Sequence, residues 1–161
     1  MVRNIKIFLT DLDGVLTDGG MYYSEDGTEL RKFNTRDGMG FQLLKNEGIK
    51  TGIISSEDSI ISKHRAKKLN VDYLSIGEFG IGKLEYVKEI SAKSNIELSE
   101  IAYIGDDINC IELLKAVGIS ACPADANSKV KQIDNIFILK KRGGEGVVRE
   151  FIDLLFDIGR I

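Results

Sequence analysis

Short runs of apolar residues alternate with amphipathic stretches along the chain, and this alternation constrains the fold more than any other feature. The apolar runs predict six strands at 5–9, 52–54 (the end of the second strand), 71–74, 101–104, 119–121 and 136–139. The stretches between and after them predict helices at 37–47, 58–68, 83–94, 109–116 and 146–157, with a helical turn at 128–132. Strands that alternate with helices form a parallel sheet covered on both faces, because each right-handed crossover packs a helix against the sheet. The sequence therefore predicts an α/β fold, a three-layer, Rossmann-like and mostly parallel six-stranded sheet.

One segment, residues 20–33, interrupts the alternation and predicts a β-hairpin. Its two arms flank Asp26-Gly27, a dipeptide that favours a tight turn between antiparallel strands. No repeat, linker or low-complexity tract divides the chain, and its 161 residues are the length of one domain. We therefore expect a single domain, residues 1–161, that carries the hairpin as a flap.

Composition argues against several classes of protein. The net charge is −3 and no dense Lys/Arg stripe is present, which disfavours a nucleic-acid partner. No apolar run approaches the roughly 18 residues that a membrane span needs, and without an export signal we expect a cytoplasmic protein. Two Cys are too few for a disulfide framework or a four-ligand zinc site. The single His, His64, argues against His-based catalysis, so carboxylates, Lys or Tyr must transfer protons.

The residues that follow the strands are the candidates for function, because ligands of parallel sheets bind at the carboxyl ends of the strands. Asp11 and Asp13 follow the first strand, Ser55, Ser56 and Glu57 the second, and Asp106 and Asp107 the fourth. Four Asp carboxylates at one edge would repel one another unless a cation lies among them. Oxygen ligands suit Mg²⁺, and carboxylates on Mg²⁺ beside a hydroxyl and a Lys are typical of a phosphate site. For any single Asp, a role as a helix cap or turn residue remains the alternative.

The segments at these positions resemble the motifs of the haloacid dehalogenase superfamily. Asp11-Leu12-Asp13-Gly14-Val15-Leu16-Thr17-Asp18 resembles the first motif, Ser55 fits the second, Lys83 the third, and Gly105-Asp106-Asp107 the fourth. Segments 34–38, 103–109 and 142–151 resemble the small sugar-acid phosphatases of this superfamily that lack a cap domain. A chain of 161 residues likewise leaves no room for such a cap.

The resemblance implies a phosphomonoester hydrolase that works through an aspartyl-phosphate on Asp11. Asp13 would protonate the leaving sugar oxygen and then activate the hydrolytic water. Mg²⁺ would be held by Asp11, the backbone carbonyl of Asp13, and Asp106, while Ser55 and Lys83 would hold the phosphoryl oxygens. Cys110 is a departure, because the family often has another Asp at this position. The secondary candidates are Asp107, Asn109 and Arg142.

The stretch after the second strand bears on which sugar acid is the substrate. Octulosonate-specific members typically carry Thr-Gly-Arg where this chain has Ser55-Ser56-Glu57. Glu57 with Lys68 resembles the nonulosonate 9-phosphate phosphatases, so we expect a 2-keto-3-deoxy nonulosonate 9-phosphate, KDN-9-phosphate or sialic acid 9-phosphate. Its carboxylate would meet Arg65; Lys68 would either join this contact or lie on a solvated helix face. The predicted substrate-binding residues are Asn34, Thr35, Arg36, Asp37, Gly38, Ser56, Glu57, Arg65 and Lys68.

Two alternatives remain open for function, and one for the hairpin. The chemistry could act on 3-deoxy-octulosonate 8-phosphate (KDO-8-phosphate), or the chain could be a non-catalytic oligomeric module related to sugar-acid cytidylyltransferases. Phosphatases of this subfamily are homotetramers in which hairpins close neighbouring active sites, and we expect the same here. Apolar residues in the hairpin favour this, since an isolated hairpin would expose them. The alternative is a hairpin folded against its own sheet.

Overall fold

The computed structural model describes residues 4–161, which form one six-stranded sheet with helices on both faces. The strands are β1 (Ile7–Thr10), β2 (Tyr22–Tyr23), β3 (Glu29–Leu30), β4 (Lys50–Ser55), β5 (Tyr73–Ile76), β6 (Ile101–Ile104), β7 (Ile119–Cys122) and β8 (Phe137–Ile138). The α-helices are α1 (Thr35–Asn46), α2 (Ile60–Leu69), α3 (Ile81–Ser94), α4 (Ile111–Ala116), α5 (Ser128–Lys131) and α6 (Val147–Asp157), with 3-10 turns at Leu98–Glu100 and Ile108–Cys110. The predicted α/β architecture is confirmed.

The sheet has the order β5-β4-β1-β6-β7-β8, and every neighbouring pair is parallel. The first strand, β1, lies between β4 and β6, so that Ile7 is paired with Lys50 on one side and with Ile101 on the other. The chain therefore fills the sheet outward in two directions from β1. The carboxyl ends of β1, β4 and β6 border the crevice where ligands of such sheets bind.

The central strands are buried on both faces, which explains why they appear in the sequence as continuous apolar runs. Phe8 packs under α1 and α6, with its ring 6.2 Å from that of Phe41 and 5.6 Å from that of Phe151. Its neighbour Leu9 belongs to the second core, under α3 and α4. Successive side chains of β1 thus enter opposite cores, as the twofold period of a strand requires.

The predicted hairpin is present and is short. β2 and β3 pair antiparallel, with Tyr22 opposite Leu30, and the chain turns at Gly27. Residues 21–28 are exposed, but Phe33, at the end of the segment, packs against the core. Apart from this hairpin, residues 4–161 carry no inserted unit that could act as a cap domain.

Element boundaries differ from the predictions where hydrogen bonds decide them. α1 begins at Thr35 rather than 37, because the side chain of Asn34 accepts the Arg36 N–H and caps the helix there. The third sheet strand lies at 73–76 rather than 71–74, because β4 pairs Gly52 with Tyr73 and Ser55 with Ile76. Across residues 4–161, the helices are too short or too polar for any of them to traverse a bilayer.

Candidate active site

Asp11 follows β1 and is held rigidly at the centre of the crevice. Its backbone N–H donates to the carbonyl of Ile104, 2.9 Å away, so the residue is fixed to the end of β6. The Oδ1 atom accepts the N–H of Leu12 at 2.7 Å, and Oδ2 lies 2.8 Å from Nζ of Lys83. Only 5% of Asp11 is exposed. The carboxylate is therefore oriented and shielded, as a nucleophile on phosphorus should be.

Lys83, in the first turn of α3, supplies the positive charge behind Asp11. Its side chain is fully buried. Burial alone would lower the pKa of Lys83, but the charge of Asp11 and its hydrogen bond outweigh this and raise the pKa above its usual value. Lys83 is therefore a stable cation next to the nucleophile.

Cys110 is a third partner of the nucleophile. Its Sγ lies 3.0 Å from Oδ2 of Asp11, and the hydroxyl of Tyr103 lies 3.3 Å from the same sulfur. Burial, together with the charge of Asp11, raises the pKa of Cys110 to about 12. The thiol is therefore neutral and can donate to Asp11. An Asp at this position would instead place a second negative charge beside Lys83.

Asp106, after β6, completes an oxygen-rich cluster that fits a divalent cation. Burial, with the nearby charges of Asp11 and Asp107, raises the pKa of Asp106 to about 8. The backbone turn after Asp13 lies close against Asp106. Gly14, in this turn, has a φ of +79°, and a Cβ added to it would fall 2.0 Å from Oδ2 of Asp106. Ligand atoms of Asp11, Asp106 and Cys110 lie within 4.8 Å of one another. Two crowded carboxylates beside a backbone turn match the donors that Mg²⁺ prefers.

Asp13 lies at the mouth of the cluster, against a cation from the hairpin. Nη1 of Arg31 lies 3.0 Å and 2.8 Å from its two oxygens, and Thr17 donates a weaker hydrogen bond at 3.3 Å. Burial raises the pKa of Asp13; Arg31 opposes this, while Glu57 and Asp11 add to it. A carboxyl group with a raised pKa holds a proton closer to neutral pH, which suits an acid and base catalyst.

These residues surround a cavity of about 670 Å³ at the carboxyl ends of β1, β4 and β6. The predicted residues that line it are Asp11, Asp13, Ser55, Ser56, Glu57, Asp106, Asp107 and Asn109. Nδ2 of Asn109 donates to Oγ of Ser56 at 2.7 Å, which ties the loop after β6 to the loop after β4. The candidate residues chosen because they follow strands thus lie around one cavity, and Lys83 lies below Asp11.

The predicted substrate residues at the start of α1 do not line this cavity in the single chain. Asn34 caps the helix, Thr35 and Arg36 are exposed, and Gly38 lies within the first turn. Asp37 is buried against α6, where its Oδ1 accepts the N–H of Arg149 at 2.9 Å. The N-cap of α6 is Gly146, which has no side chain to accept from the helix, so Asp37 supplies that cap.

The basic residues predicted to meet the substrate also lie outside the cavity in the single chain. Arg65 stacks on the ring of Phe33, 4.9 Å from its centre, and donates from Nη2 to the carbonyl of Asn34 at 3.2 Å. Lys68 is exposed on α2. Arg142 is exposed and reaches Asp125 at 3.6 Å. Their predicted contacts with substrate stay predictions.

Arg31, Met21 and Phe79 belong to the site but are missing from the sequence predictions. Met21 and Phe79 line the cavity, and Arg31 binds Asp13 and Glu57 from the hairpin. Glu29 and Arg31 are two residues apart at the end of the hairpin, a spacing that puts side chains of an extended chain on one side and could have indicated a charged face there. No local pattern, however, indicates that this face meets Asp13.

A shielded carboxylate paired with a lysine, set at the edge of a parallel sheet among further carboxylates, defines a phosphoryl-transfer enzyme. The chain belongs to the haloacid dehalogenase-like hydrolases, whose family model matches residues 22–151. It is a phosphoric monoester hydrolase that acts on a sugar-acid phosphate, which confirms the predicted superfamily and enzyme class and excludes a non-catalytic module.

The chain is similar to phosphatases named for 3-deoxy-octulosonate 8-phosphate, in sequence and in structure. It is 34% identical to the 3-deoxy-D-manno-octulosonate 8-phosphate phosphatase of Haemophilus influenzae, over 96% of this chain and 84% of that one. The corresponding enzyme of Moraxella catarrhalis, solved with magnesium, phosphate and KDO, superposes with a TM-score of 0.90 and is 34% identical, covering 97% of this chain and 88% of that one. A cobalt-bound H. influenzae phosphatase has a TM-score of 0.87 and 32% identity, with 96% and 88% covered. The predicted divalent cation is thus confirmed at the level of the family.

Proposed function

We propose that the protein hydrolyses 3-deoxy-D-manno-octulosonate 8-phosphate. The observation that carries this proposal is the similarity, over nearly the whole chain, to phosphatases named for that substrate, one of them solved in complex with KDO. KDO-8-phosphate is the alternative substrate in the sequence analysis, where Glu57 and Lys68 favour a nonulosonate 9-phosphate instead.

In the proposed reaction, an oxygen of Asp11 attacks phosphorus and the bond from phosphorus to the sugar oxygen breaks. Asp13 gives its proton to that oxygen, so the sugar acid leaves as an alcohol and Asp11 carries the phosphoryl group. Asp13, now a carboxylate, takes a proton from water as the water attacks phosphorus, which restores Asp11 and releases phosphate. Lys83 and the Ser55 hydroxyl stabilise the charge on the phosphoryl oxygens.

Asp11, the backbone carbonyl of Asp13, and Asp106 would hold Mg²⁺. When bound, the cation offsets the negative charge of the carboxylates and of the phosphoryl group. Asp106 suits this task, because burial and, after it, the nearby charges of Asp11 and Asp107 raise its pKa, and a cation would offset that repulsion.

One observation favours the nine-carbon substrate as a second candidate. Glu57 lines the cavity, and with Lys68 it forms the pair that resembles the nonulosonate 9-phosphate phosphatases, whereas octulosonate-specific phosphatases typically carry Arg in place of Glu57. An unpaired carboxylate at this position would repel the carboxylate of either sugar acid. In this chain, however, Nη2 of Arg31 lies 2.9 Å from Oε2 of Glu57 and compensates its charge. Glu57 therefore does not by itself exclude the eight-carbon substrate.

A comparison of kcat/KM for KDO-8-phosphate and KDN-9-phosphate, both with Mg²⁺, tests the proposal. We expect a preference for the eight-carbon ester. A wild-type preference for the nine-carbon ester would overturn the substrate assignment while leaving the phosphatase chemistry intact.

We also propose that the chain assembles as a homotetramer in which the hairpins of neighbouring subunits close the sites. The hairpin supports this, because Tyr22, Tyr23 and Leu30 are each about half exposed or more, at 49%, 63% and 65%. Light scattering coupled to size-exclusion chromatography should give a mass of four chains. A Tyr23→Ser, Leu30→Ser variant should dissociate, whereas Ile138→Ser on the far edge strand should not.

A further inference from the structure

Arg31 is the most deeply buried charge of the hairpin segment. It follows β3, and its side chain is fully buried, whereas residues 21–28 of the same hairpin are exposed. Three carboxylates surround the guanidinium, from Asp13, Glu29 and Glu57. The hairpin is therefore joined at its base to the loops after β1 and β4 through one side chain.

The guanidinium of Arg31 contacts its three carboxylate partners through all of its nitrogens. Nη1 lies 3.0 Å and 2.8 Å from the two oxygens of Asp13, and Nη2 lies 2.9 Å from Oε2 of Glu57. Nε and Nη2 both lie 2.8 Å from Oε1 of Glu29. Four of these contacts are hydrogen bonds, and the approach of Nη2 to Oε1 of Glu29 is an ion pair. Every nitrogen of the guanidinium thus contacts a carboxylate, so Arg31 is best placed to act through these partners.

We propose that Arg31 is a positioning residue that orients Asp13 for proton transfer and holds Glu57 with one oxygen towards a hydroxyl of the sugar acid. The inference rests on the proposed role of Asp13 as acid and base. It assigns to the hairpin a task inside the site of its own chain.

Asp13 depends on Arg31 because its other side-chain support is weak. In the described part of the chain, the remaining hydrogen bond to its side chain comes from the hydroxyl of Thr17 at 3.3 Å, and Asp13 faces the cavity with 36% of its side chain exposed. Without Arg31 the carboxyl group can rotate away from the leaving oxygen. A displacement of about 1 Å in a proton donor lowers the rate on the order of 100-fold.

Glu57 depends on Arg31 for both charge and orientation. Its Oε2 accepts from Arg31, while Oε1 has no hydrogen-bond partner among residues 4–161 and belongs to a side chain that lines the cavity. A carboxylate oxygen accepts hydrogen bonds and cannot donate them, so it suits a hydroxyl rather than a carboxylate or phosphate of the substrate.

The test compares Arg31→Met and Arg31→Lys with the matched control Lys32→Met, an exposed neighbour on the hairpin segment. Each variant is assayed with Mg²⁺ on KDO-8-phosphate, n-propyl phosphate and 4-nitrophenyl phosphate. The ratio kcat/KM reports the steps up to departure of the leaving group. Nitrophenolate leaves without a proton, whereas the sugar and propyl alkoxides need the proton from Asp13.

We expect Arg31→Met to lower kcat/KM on both alkyl esters on the order of 10- to 100-fold, with little change on the nitrophenyl ester. The sugar ester should also show a raised KM, and this extra loss should vanish when Glu57→Ala is already present. Arg31→Lys should give an intermediate loss, because an ammonium cannot bridge three carboxylates. Lys32→Met should match the wild type on all three.

An equal loss on all three esters would assign Arg31 a merely structural role and overturn the inference, as would no loss on any. Arg31→Lys carries the same test if Arg31→Met does not fold. Asp13→Asn separates the inference from the proposed function. If that variant loses activity equally on alkyl and aryl esters, Asp13 is not the acid and the proposed mechanism fails. If Asp13→Asn loses more activity on the alkyl esters than on the aryl ester, whereas Arg31→Met loses activity equally on both, the proposed mechanism stands and only the inference about Arg31 fails.

Discussion

At the scale of single residues, Asp11 and Lys83 form a buried pair with two separate consequences. The pair places a nucleophile in the cavity, and it also balances a fully buried ammonium group. Removal of one partner from a buried ion pair is costlier than removal of both, because the remaining charge is left uncompensated. Catalysis and stability at this position can therefore be separated by substitution.

Asp11→Asn should abolish turnover, with a loss on the order of 1,000-fold or more, since an amide cannot form the aspartyl-phosphate. The same variant should lower the free energy of unfolding by about 3–5 kcal/mol, because Lys83 loses its carboxylate partner. Phosphate release assays and urea denaturation monitored by circular dichroism measure the two effects.

The double variant Asp11→Asn, Lys83→Met is the control that separates them. It should recover most of the lost stability, since no unpaired charge remains, and it should stay inactive. Activity retained by Asp11→Asn would refute the nucleophile assignment, however stable the variant is.

The residues of the site differ in how far the sequence predicts them. Asp11, Ser55 and Asp106 lie at the carboxyl ends of strands that are evident from their apolar runs, and the topology of a parallel sheet brings such positions together. Arg31 and Cys110 reach the site through contacts between segments distant in the chain, which no periodicity records. Asp37 has the sequence context of a ligand residue, but the structure buries it as a cap for α6.

At the scale of elements, helix α1 carries two glycines that differ in their surroundings, and only one of them lies close against α6. An added Cβ at Gly38 would meet only Leu69 at 3.8 Å, an ordinary contact. An added Cβ at Gly40 would lie 2.7 Å from Cδ1 of Ile152 and 3.3 Å from Cδ of Arg149. The helix needs the second glycine for close approach to α6 but does not need the first.

Gly38→Ala should raise the free energy of unfolding by about 0.5–1 kcal/mol, because alanine restricts the unfolded chain and favours helix. Gly40→Ala should lower it by about 1–3 kcal/mol through overpacking against α6. Urea denaturation of the two variants checks the difference. An unchanged kcat/KM for Gly38→Ala would also count against the predicted role of Gly38 in substrate binding.

Element identity is predictable here and element limits are not. The apolar periodicity identifies the six strands of the sheet, but the limits of β5 follow from its register with β4, which is a tertiary property. The hairpin is predicted from its Asp-Gly turn, whereas the side of the chain that it faces depends on Arg31 and its three carboxylates.

At the scale of the whole molecule, one buried carboxyl group couples stability to pH. Asp37 joins α1 to α6, and burial raises its pKa to about 6, although the Arg149 N–H and the charges of Arg65 and Lys141 oppose the rise. Its Oδ2 has no hydrogen-bond partner within residues 4–161. The folded state therefore holds a proton on Asp37 more tightly than the unfolded chain, whose Asp has a pKa of about 3.9.

The sign of the effect follows from proton binding. Between about pH 4 and pH 6 the folded protein binds more protons at Asp37 than the unfolded chain, so the stability due to this group falls as the pH rises. A pKa difference of about two units corresponds to on the order of 3 kcal/mol. Asp37→Asn removes the titration, and the unfolding free energy of the wild type should therefore decline relative to the variant across this range.

Urea denaturation from pH 4 to pH 7.5 measures this decline. Asp134→Asn, which removes an exposed carboxylate, is the control, and its unfolding free energy should run parallel to that of the wild type. Parallel curves for wild type and Asp37→Asn would show that Asp37 is ionised in the folded protein throughout, and that Arg65 and the start of α6 stabilise its charge more than burial opposes it.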